Sequence, residues 1–334
     1  MGNPMWRLAT SINYLSENIF LLGREQEVEI IVSDWGSVTP IANVLKLTTR
    51  SSEITHFLHI PEKKAKELQE DSPFAEVFAL NAAARVSKGL FIGRIDQDTL
   101  VAKNFISRFF AAFEQKEDFG INLSGSYMFA ARKQLPYSFV KKQPTITDID
   151  YVINRYKRWI YSEELKFCYW ASPVGILLMH RKIWNEVGGY DERLIYYWFM
   201  DVDLGTRIIK KYPVHNIGKL FGYDFFHLEH FKSGFSFRNS HRKVNPDWSK
   251  SFDKPNINPN GLDWGISRSG LELNKLLTQP ENQASIIPEK AALPTYDSIH
   301  LFLNILKGSV TRWLYYQIKH TWYWSKKLRR KEYL

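Results

Sequence analysis

The apolar positions of this chain fall into short runs that alternate between two periods. Trp6, Leu8, Ile12, Leu15 and Ile19 recur at three- and four-residue spacing across residues 5 to 22, which predicts an amphipathic helix. The β-rich run from Glu27 to Ser33 closes in Asp34-Trp35-Gly36-Ser37, a turn composition. Val38 to Thr48 then reads as a helix, Ile54 to Ile60 as a strand, and Phe74 to Ser87 as a helix with an apolar stripe. Leu90 to Ile95 reads as a strand and Asn104 to Glu114 as a helix. Farther on, Gly175 to Met179 predicts a strand and Arg181 to Glu186 a helix, with a turn at Gly188-Gly189-Tyr190-Asp191-Glu192. Residues 200 to 212 predict a helix stopped by Pro213, and Phe225 to His230 a β-like passage. Strands alternating with helices predict an α/β domain, a mostly parallel central sheet with helices on both faces. A doubly wound unit ordinarily opens on a strand, yet here a helix starts almost at Met1. Either a first strand lies upstream or the fold manages without it.

The rhythm breaks three times. Residues 134 to 167 are polar and aromatic, with Tyr137, Tyr151, Tyr156, Trp159 and Tyr161, and read as a capping insertion or a substrate-binding segment. Residues 236 to 293 are loop-rich. From 294 to 334, apolar residues such as Leu303, Leu306, Val310, Trp313 and Ile318 return at near-helical spacing among lysines and arginines. The expected organisation is a catalytic body over 1–235, a loop-rich segment over 236–293 and a basic, aromatic amphipathic tail over 294–334.

Charge sharpens that division. The chain has 334 residues and net charge +10. From Ser298 onward eight basic residues face one acid, Glu332, so the tail holds +7 of it. Such a helix reads as an element lying on an anionic membrane surface, or as a terminal helix docked on the protein. No recognised nucleic-acid module accompanies the charge, so no nucleic-acid partner is expected. The single cysteine, Cys168, excludes an internal disulfide and a cysteine-based zinc cluster. No run approaches a membrane span and no signal-peptide pattern opens the chain. The expected location is cytoplasmic, peripheral on the inner face of the membrane.

The sharpest chemistry is at Asp96-Gln97-Asp98, where the apolar run ends in two carboxylates one residue apart. At the carboxyl end of a buried strand both would meet the ligand-binding edge of an open sheet. Paired carboxylates repel, so a positive group belongs between them, and a hard divalent cation carrying phosphate oxygens is the natural candidate. A solvated acidic turn is the plainer alternative. Asp34 reads either as a turn-former or as an acceptor for a base or ribose. Asp201 and Asp203 open a predicted helix, where acids complement the dipole. Two residues apart, they point to different sides. One suits a general base, while the other suits a structural tie to Arg207 one turn on. His227 and His230 are candidate metal ligands. On one strand, three residues apart, they would face opposite ways, so at most one is expected to join Asp96 and Asp98.

Four segments in order resemble the family 2 glycosyltransferases and their GT-A-fold relatives. VEIIVSDWGS is similar to that family's strand and Asp-x-Gly-Ser turn. Asn81 to Asp98, NAAARVSKGLFIGRIDQD, resembles its helix, glycine and strand ending in D-x-D. Val174 to Leu194, VGILLMHRKIWNEVGGYDERL, resembles its strand, helix and Gly-Gly-aromatic-Asp-Glu turn. Met200 to Ile208, MDVDLGTRI, resembles its Glu-Asp-x-Asp-Leu-x-x-Arg helix. The resemblance implies a GT-A fold and an inverting transfer from a nucleotide-diphosphate sugar, UDP being the expected nucleotide, to a carbohydrate or glycolipid hydroxyl. Asp201 would be the base, and Asp34, Asp96 and Arg94 the nucleotide contacts. Asp98 with Asp96, and His227 or His230, would hold Mn2+ or Mg2+. Met200 departs from the family's Glu and removes an acceptor-side carboxylate. The aromatic 134–167 segment and Trp264-Gly265 are the expected sugar-stacking positions. Two other readings are a nucleotidyltransferase, which would want a basic glycine-rich loop absent here, and a degenerate, non-catalytic carbohydrate-binding protein.

Overall fold

Asn3 starts the first helix, its side chain accepting the Trp6 amide at 3.1 Å, with Pro4 in the first turn, where a missing N–H costs nothing. This helix, α1 (Pro4–Phe20), leads to β1 (Ile30–Trp35), α2 (Thr49–Ile54), β2 (Thr55–Ile60), α3 (Glu62–Gln69) and α4 (Glu76–Val86). There follow β3 (Phe91–Ile95), β4 (Thr99–Val101), α5 (Lys103–Phe113), β5 (Tyr127–Phe129), β6 (Lys133–Leu135), α6 (Tyr137–Val140) and α7 (Ile146–Tyr156). The later elements are β7 (Ile176–His180), α8 (Arg181–Val187), α9 (Met200–Ile209), β8 (Val214–Asn216), α10 (Ile217–Phe221), β9 (Phe225–Leu228), β10 (Leu273–Asn274) and α11 (Ser298–Arg330). This computed structural model describes residues 3–162, 176–197, 199–222, 224–230, 243–245, 257–266, 271, 273–276 and 298–330, apart from the side chains of 298, 315–316 and 319–330. Cys168, Val174, Gly175 and most of the loop-rich 236–293 segment lie outside the described residues.

The predicted elements are largely in place, but the sheet is not mostly parallel. Among the described residues three small sheets form, in orders β1-β2-β10, β3-β7-β5-β8 and β4-β9-β6. β1/β2, β5/β8 and β6/β9 are parallel, whereas β2/β10, β3/β7, β5/β7 and β4/β9 are antiparallel. The chain is thus a mixed α/β fold. Alternating periods announce strands and helices; they do not say which strands become neighbours. A second correction falls at Val38 to Thr48. Pro40 allows only a 3-10 turn at Ile41–Asn43, and the helix waits until Thr48, whose hydroxyl accepts the Ser51 amide at 3.2 Å. The intervening Leu45 and Leu47 are fully buried instead, in a core with Ile12, Val32 and Phe57.

Residues 134 to 162 supply core. Thr145 and Asp148 form a reciprocal capping box at the start of α7, satisfying two orphan amides. Ile149, Val152 and Ile153 then pack with Leu135, Phe226 and Leu228, and with Leu301 and Ile305 of α11. One face of the tail helix is therefore docked on the body. Gly308 lies against Pro136, where an added Cβ would come within 2.8 Å of the ring.

The turn between α8 and α9 is fixed by close approach. Gly188 and Gly189 both have left-handed backbone, φ +66° and +64°. A Cβ on Gly189 would sit 2.3 Å from Asn81 Oδ1. Asn81 in turn accepts the Tyr190 amide at 2.9 Å and donates to the Tyr190 carbonyl and to Glu192. Gly189→Ala is therefore expected to lower unfolding free energy by about 1–3 kcal/mol, since backbone strain and loss of this tie act together. Chemical denaturation measures it, and an unchanged midpoint would remove the close approach from the account.

Candidate active site

β3 points Arg94 into the molecule, and its guanidinium collects acids from three elements. Nη2 donates to Glu76 Oε1 at 2.5 Å and to Asp96 Oδ1 at 3.1 Å, while Nη1 donates to Asp201 Oδ1 and, at 2.9 Å, to Tyr190 Oη. Asp96 leaves the end of β3, Asp201 opens α9 and Glu76 opens α4. The two acid groups singled out in the sequence thus meet on one buried cation. Their side chains stay partly open, Asp96 at 32%, Asp201 at 26% and Glu76 at 41% exposure. Arg94, expected among the nucleotide contacts, lies beneath these carboxylates as their common counter-ion.

The start of α9 is shaped by Phe199, which adopts φ 67°, an uncommon region for a bulky residue and a cost of about 1–3 kcal/mol. Beyond that bend Met200 turns into the core beside Leu204 and Ile208, and Asp201 turns to Arg94. Asp203 faces another way and accepts from Arg207 Nε at 2.8 Å. Buried Arg207 also donates to the carbonyls of Val187 and Gly189, each at 2.7 Å, so Asp203 serves the structural tie. Both protein contacts of Asp201 fall on Oδ1, from Arg94 and from the Tyr190 hydroxyl at 3.2 Å. Among the described residues Oδ2 has no protein partner. Burial raises the Asp201 carboxyl above its ordinary value; Arg94 opposes this and the Asp96 charge adds to it. Glu76 is raised for the same first reason.

A second cluster lies at the other acid of the D-x-D. Asp98 Oδ2 is 3.1 Å from His227 Nε2 and 3.4 Å from His230 Nε2. β4 pairs with β9 so that Thr99 stands opposite His227, which brings the imidazole to the acid. The expectation that only one histidine could join is corrected: β9 ends at Leu228, the chain leaves strand geometry, and the two rings lie 5.2 Å apart. Asp98, His227 and His230 can hold a metal ion. Asp96 stands outside that group. Arg132 bridges the two acids instead, its Nη1 at 3.1 Å from Asp96 Oδ2 and 3.4 Å from Asp98 Oδ1, with Thr99 Oγ1 at 2.9 Å. The positive group that the D-x-D demands is thus, in part, a guanidinium.

Donor chemistry favours a cation at the histidine side as well. His227 Nδ1 faces Gln134 Oε1 at 2.5 Å. That carbonyl places the hydrogen on Nδ1, the outer contact common to metal-binding histidines, and aims the Nε2 lone pair at a carboxylate oxygen. A proton or a metal ion between Nε2 and the carboxylate makes that approach favourable. Separations of 3.1 and 3.4 Å suit donors about 2.1 Å from one ion. Burial, then the neighbouring His227, pushes His230 down to about 4, so its ring is neutral and able to ligate near pH 7. Burial alone would raise Asp98, but His227, with Arg132 and His230, holds it below the usual carboxylate range.

Asp34 ends β1 and is buried. Its Oδ2 accepts the Ile41 amide at 2.8 Å and faces His59 Nδ1 at 3.0 Å, while Oδ1 is buried with no hydrogen-bond partner among the described residues. Trp264 is no sugar platform: it is buried against Trp184, and its carbonyl accepts from Arg85. The exposed ring near the acids is Phe74, edge-on to Trp35, which also stacks on Phe78. Sequence reasoning passed over Glu76, Tyr190, Arg132 and Gln134 as site residues. Tyr190 carried a signal, as the aromatic of the Gly-Gly turn; the others reach the site only through tertiary packing.

The chain matches no family model, and no curated protein matches it. Among solved structures, the catalytic domain of Drosophila beta1,4galactosyltransferase 7, in complex with xylobiose, is similar at 15% identity. The match covers 63% of this chain and 69% of that one at a TM-score of 0.34, too slight to bear on the reading below.

Proposed function

We propose that this chain transfers a sugar from a nucleoside diphosphate donor to an acceptor hydroxyl, with Asp201 as the base. The observation that carries this is the meeting of Asp96 and Asp201 on Arg94, next to the Asp98–His227–His230 cluster. Asp201 Oδ2, partly open, takes the proton of the acceptor oxygen as it attacks the anomeric carbon, and a single displacement inverts that centre. Tyr190 and Arg94 fix the carboxylate from the Oδ1 side. Glu76, on the same guanidinium, offers the acceptor-side carboxylate that Met200 does not. Asp34 would accept from a base or ribose through Oδ1, which is buried and would have to be uncovered by the donor. Asp98, His227 and His230 hold the divalent ion, which when bound neutralises the charge on the departing diphosphate. Two imidazoles suit a first-row transition ion better than Mg2+, which prefers oxygen donors and its own waters; of the two ions expected, Mn2+ fits.

Arg132 favours a second reading, a carbohydrate-binding protein whose acids are neutralised without metal. One experiment separates the two. A thermal-shift series with UDP-sugars, with and without Mn2+, is expected to raise the unfolding midpoint only when both are present, by mass action. A shift with sugar alone, untouched by a chelator, would favour binding without transfer. No shift with any nucleotide sugar in the presence of Mn2+ would end the donor assignment.

A further inference from the structure

Helix α11 has two apolar faces. Leu301, Ile305 and Gly308 point into the body, and Arg312 on the same side pairs with buried Glu229. Ile299, Leu303, Val310 and Leu314 each stand two residues from one of these positions, with Trp313 on their flank and a seven-residue step between Leu303 and Val310. Two residues rotate a helix by about 200°, which sets this second row opposite the docked one. Every member of it is about half exposed or more, Ile299 at 69%, and Ile318 extends the row by a turn. Isolated exposed apolar residues are ordinary, but a row of large ones along one helix face marks a contact surface. No helix among the described residues is long and apolar enough to cross a membrane, so the stripe calls for contact along its length.

The neighbouring surface indicates what covers it. Trp159, itself half-exposed, meets Phe302 of α11 edge-on at 5.7 Å. Just before it, Lys157 and Arg158, with Lys133, Asn154, Arg155 and Gly222, line an open cleft of about 370 Å³. Among the described residues the nearby acids are engaged: Asp224 accepts from Lys157 and Asn104, Glu229 pairs with Arg312, and half-buried Asp150 accepts from Asn154. Arg155 and Arg158 remain exposed. An apolar row, an interfacial tryptophan and a cationic cleft together match the layers of an anionic bilayer, acyl chains below and phosphates above.

We propose that the outer face of α11, Trp159 and the Lys133–Arg158 cleft form one docking surface for an anionic phospholipid membrane. The inner face of α11 makes this docking directional, because Arg312 and Glu229 join the helix to the chain between His227 and His230. Lipid contact needs neither donor nor metal, so it stands or falls apart from the transfer reading. Where that reading also holds, the acceptor class is lipid-linked.

The test is co-sedimentation of the full chain with vesicles of phosphatidylcholine alone or mixed with phosphatidylglycerol, with light scattering for oligomeric state. The expected result is binding to the mixed vesicles only, abolished by L303E with V310E. Arg155→Ala with Arg158→Ala, a pair of exposed residues outside the core, is expected to weaken binding roughly tenfold or more, as loss of two near-surface charges should. Failure of the wild-type chain to bind mixed vesicles would overturn the proposal, as would binding indifferent to both variants. A dimer that the glutamate pair dissolves, without vesicle binding, would assign the stripe to a second copy instead.

Discussion

Asp201→Asn is expected to lower turnover by about 10²–10⁴-fold, the usual worth of a positioned base, while donor affinity stays close to the unmodified protein's. The two halves of that result follow from different atoms. Oδ1 keeps its two donors, Arg94 and Tyr190, and an amide oxygen can accept from both. Oδ2 becomes an NH2 group, which cannot take a proton. The fold should tolerate the change, because Arg94 retains Glu76 and Asp96 as counter-charges and no buried cation is stranded. A pH profile adds a second signature. Burial, with the Asp96 charge, raises the Asp201 carboxyl, and only its ionised form accepts a proton. Activity is therefore full above that raised value and falls as pH drops through it, at higher pH than for an ordinary aspartate. Steady-state kinetics and calorimetric titration of the donor measure both effects. A parallel loss of donor affinity, or an unchanged acid limb in the residual activity, would remove Asp201 from the role of base.

What the sequence disclosed depended on whether the signal was local. The Gly188-Gly189 turn and the D-x-D at a strand end are each written within a few residues, and each is where the period pattern put it. Asp203 and Arg207, one turn apart, pair as the spacing required. Strand order is not local, and the mostly parallel sheet gave way to three mixed ones. The histidine pair shows the limit well. Its geometry turns on β9 ending at Leu228, two residues before His230, and no pattern in FFHLEH marks that end. Arg132, and the counter-ion role of Arg94, were equally hidden, since a buried arginine announces itself only through the acids that fold around it. The tail was legible as an amphipathic helix, with membrane contact and docking on the body as alternatives, but not as one with a separate apolar face for each. Two apolar rows offset by two residues blur into a single periodicity when read linearly.

Asp98→Ala is expected to abolish the Mn2+-dependent part of donor binding. Changes to groups that merely orient a ligand cost roughly 10–100-fold in metal affinity, and Asp98 is placed as a ligand itself, so its loss should exceed that range. Gln134→Met provides the graded comparison: it removes the oxygen that faces His227 Nδ1 while leaving the three donor side chains, and should fall within the range. The arginine side of the site should survive Asp98→Ala, because Arg132 keeps Asp96 and Thr99 as partners. Low pH should act in the same direction as the mutation, but through the His230 ring. Asp98 is held below the usual carboxylate range and stays ionised, whereas His230, pushed down to about 4, gains a proton only as pH falls through that value and then cannot ligate. Calorimetric titration of Mn2+ into the unmodified and variant chains reads these differences without any need for turnover. Equal Mn2+ affinity in the unmodified chain and Asp98→Ala would leave Arg132 as the cation that the paired acids were built around.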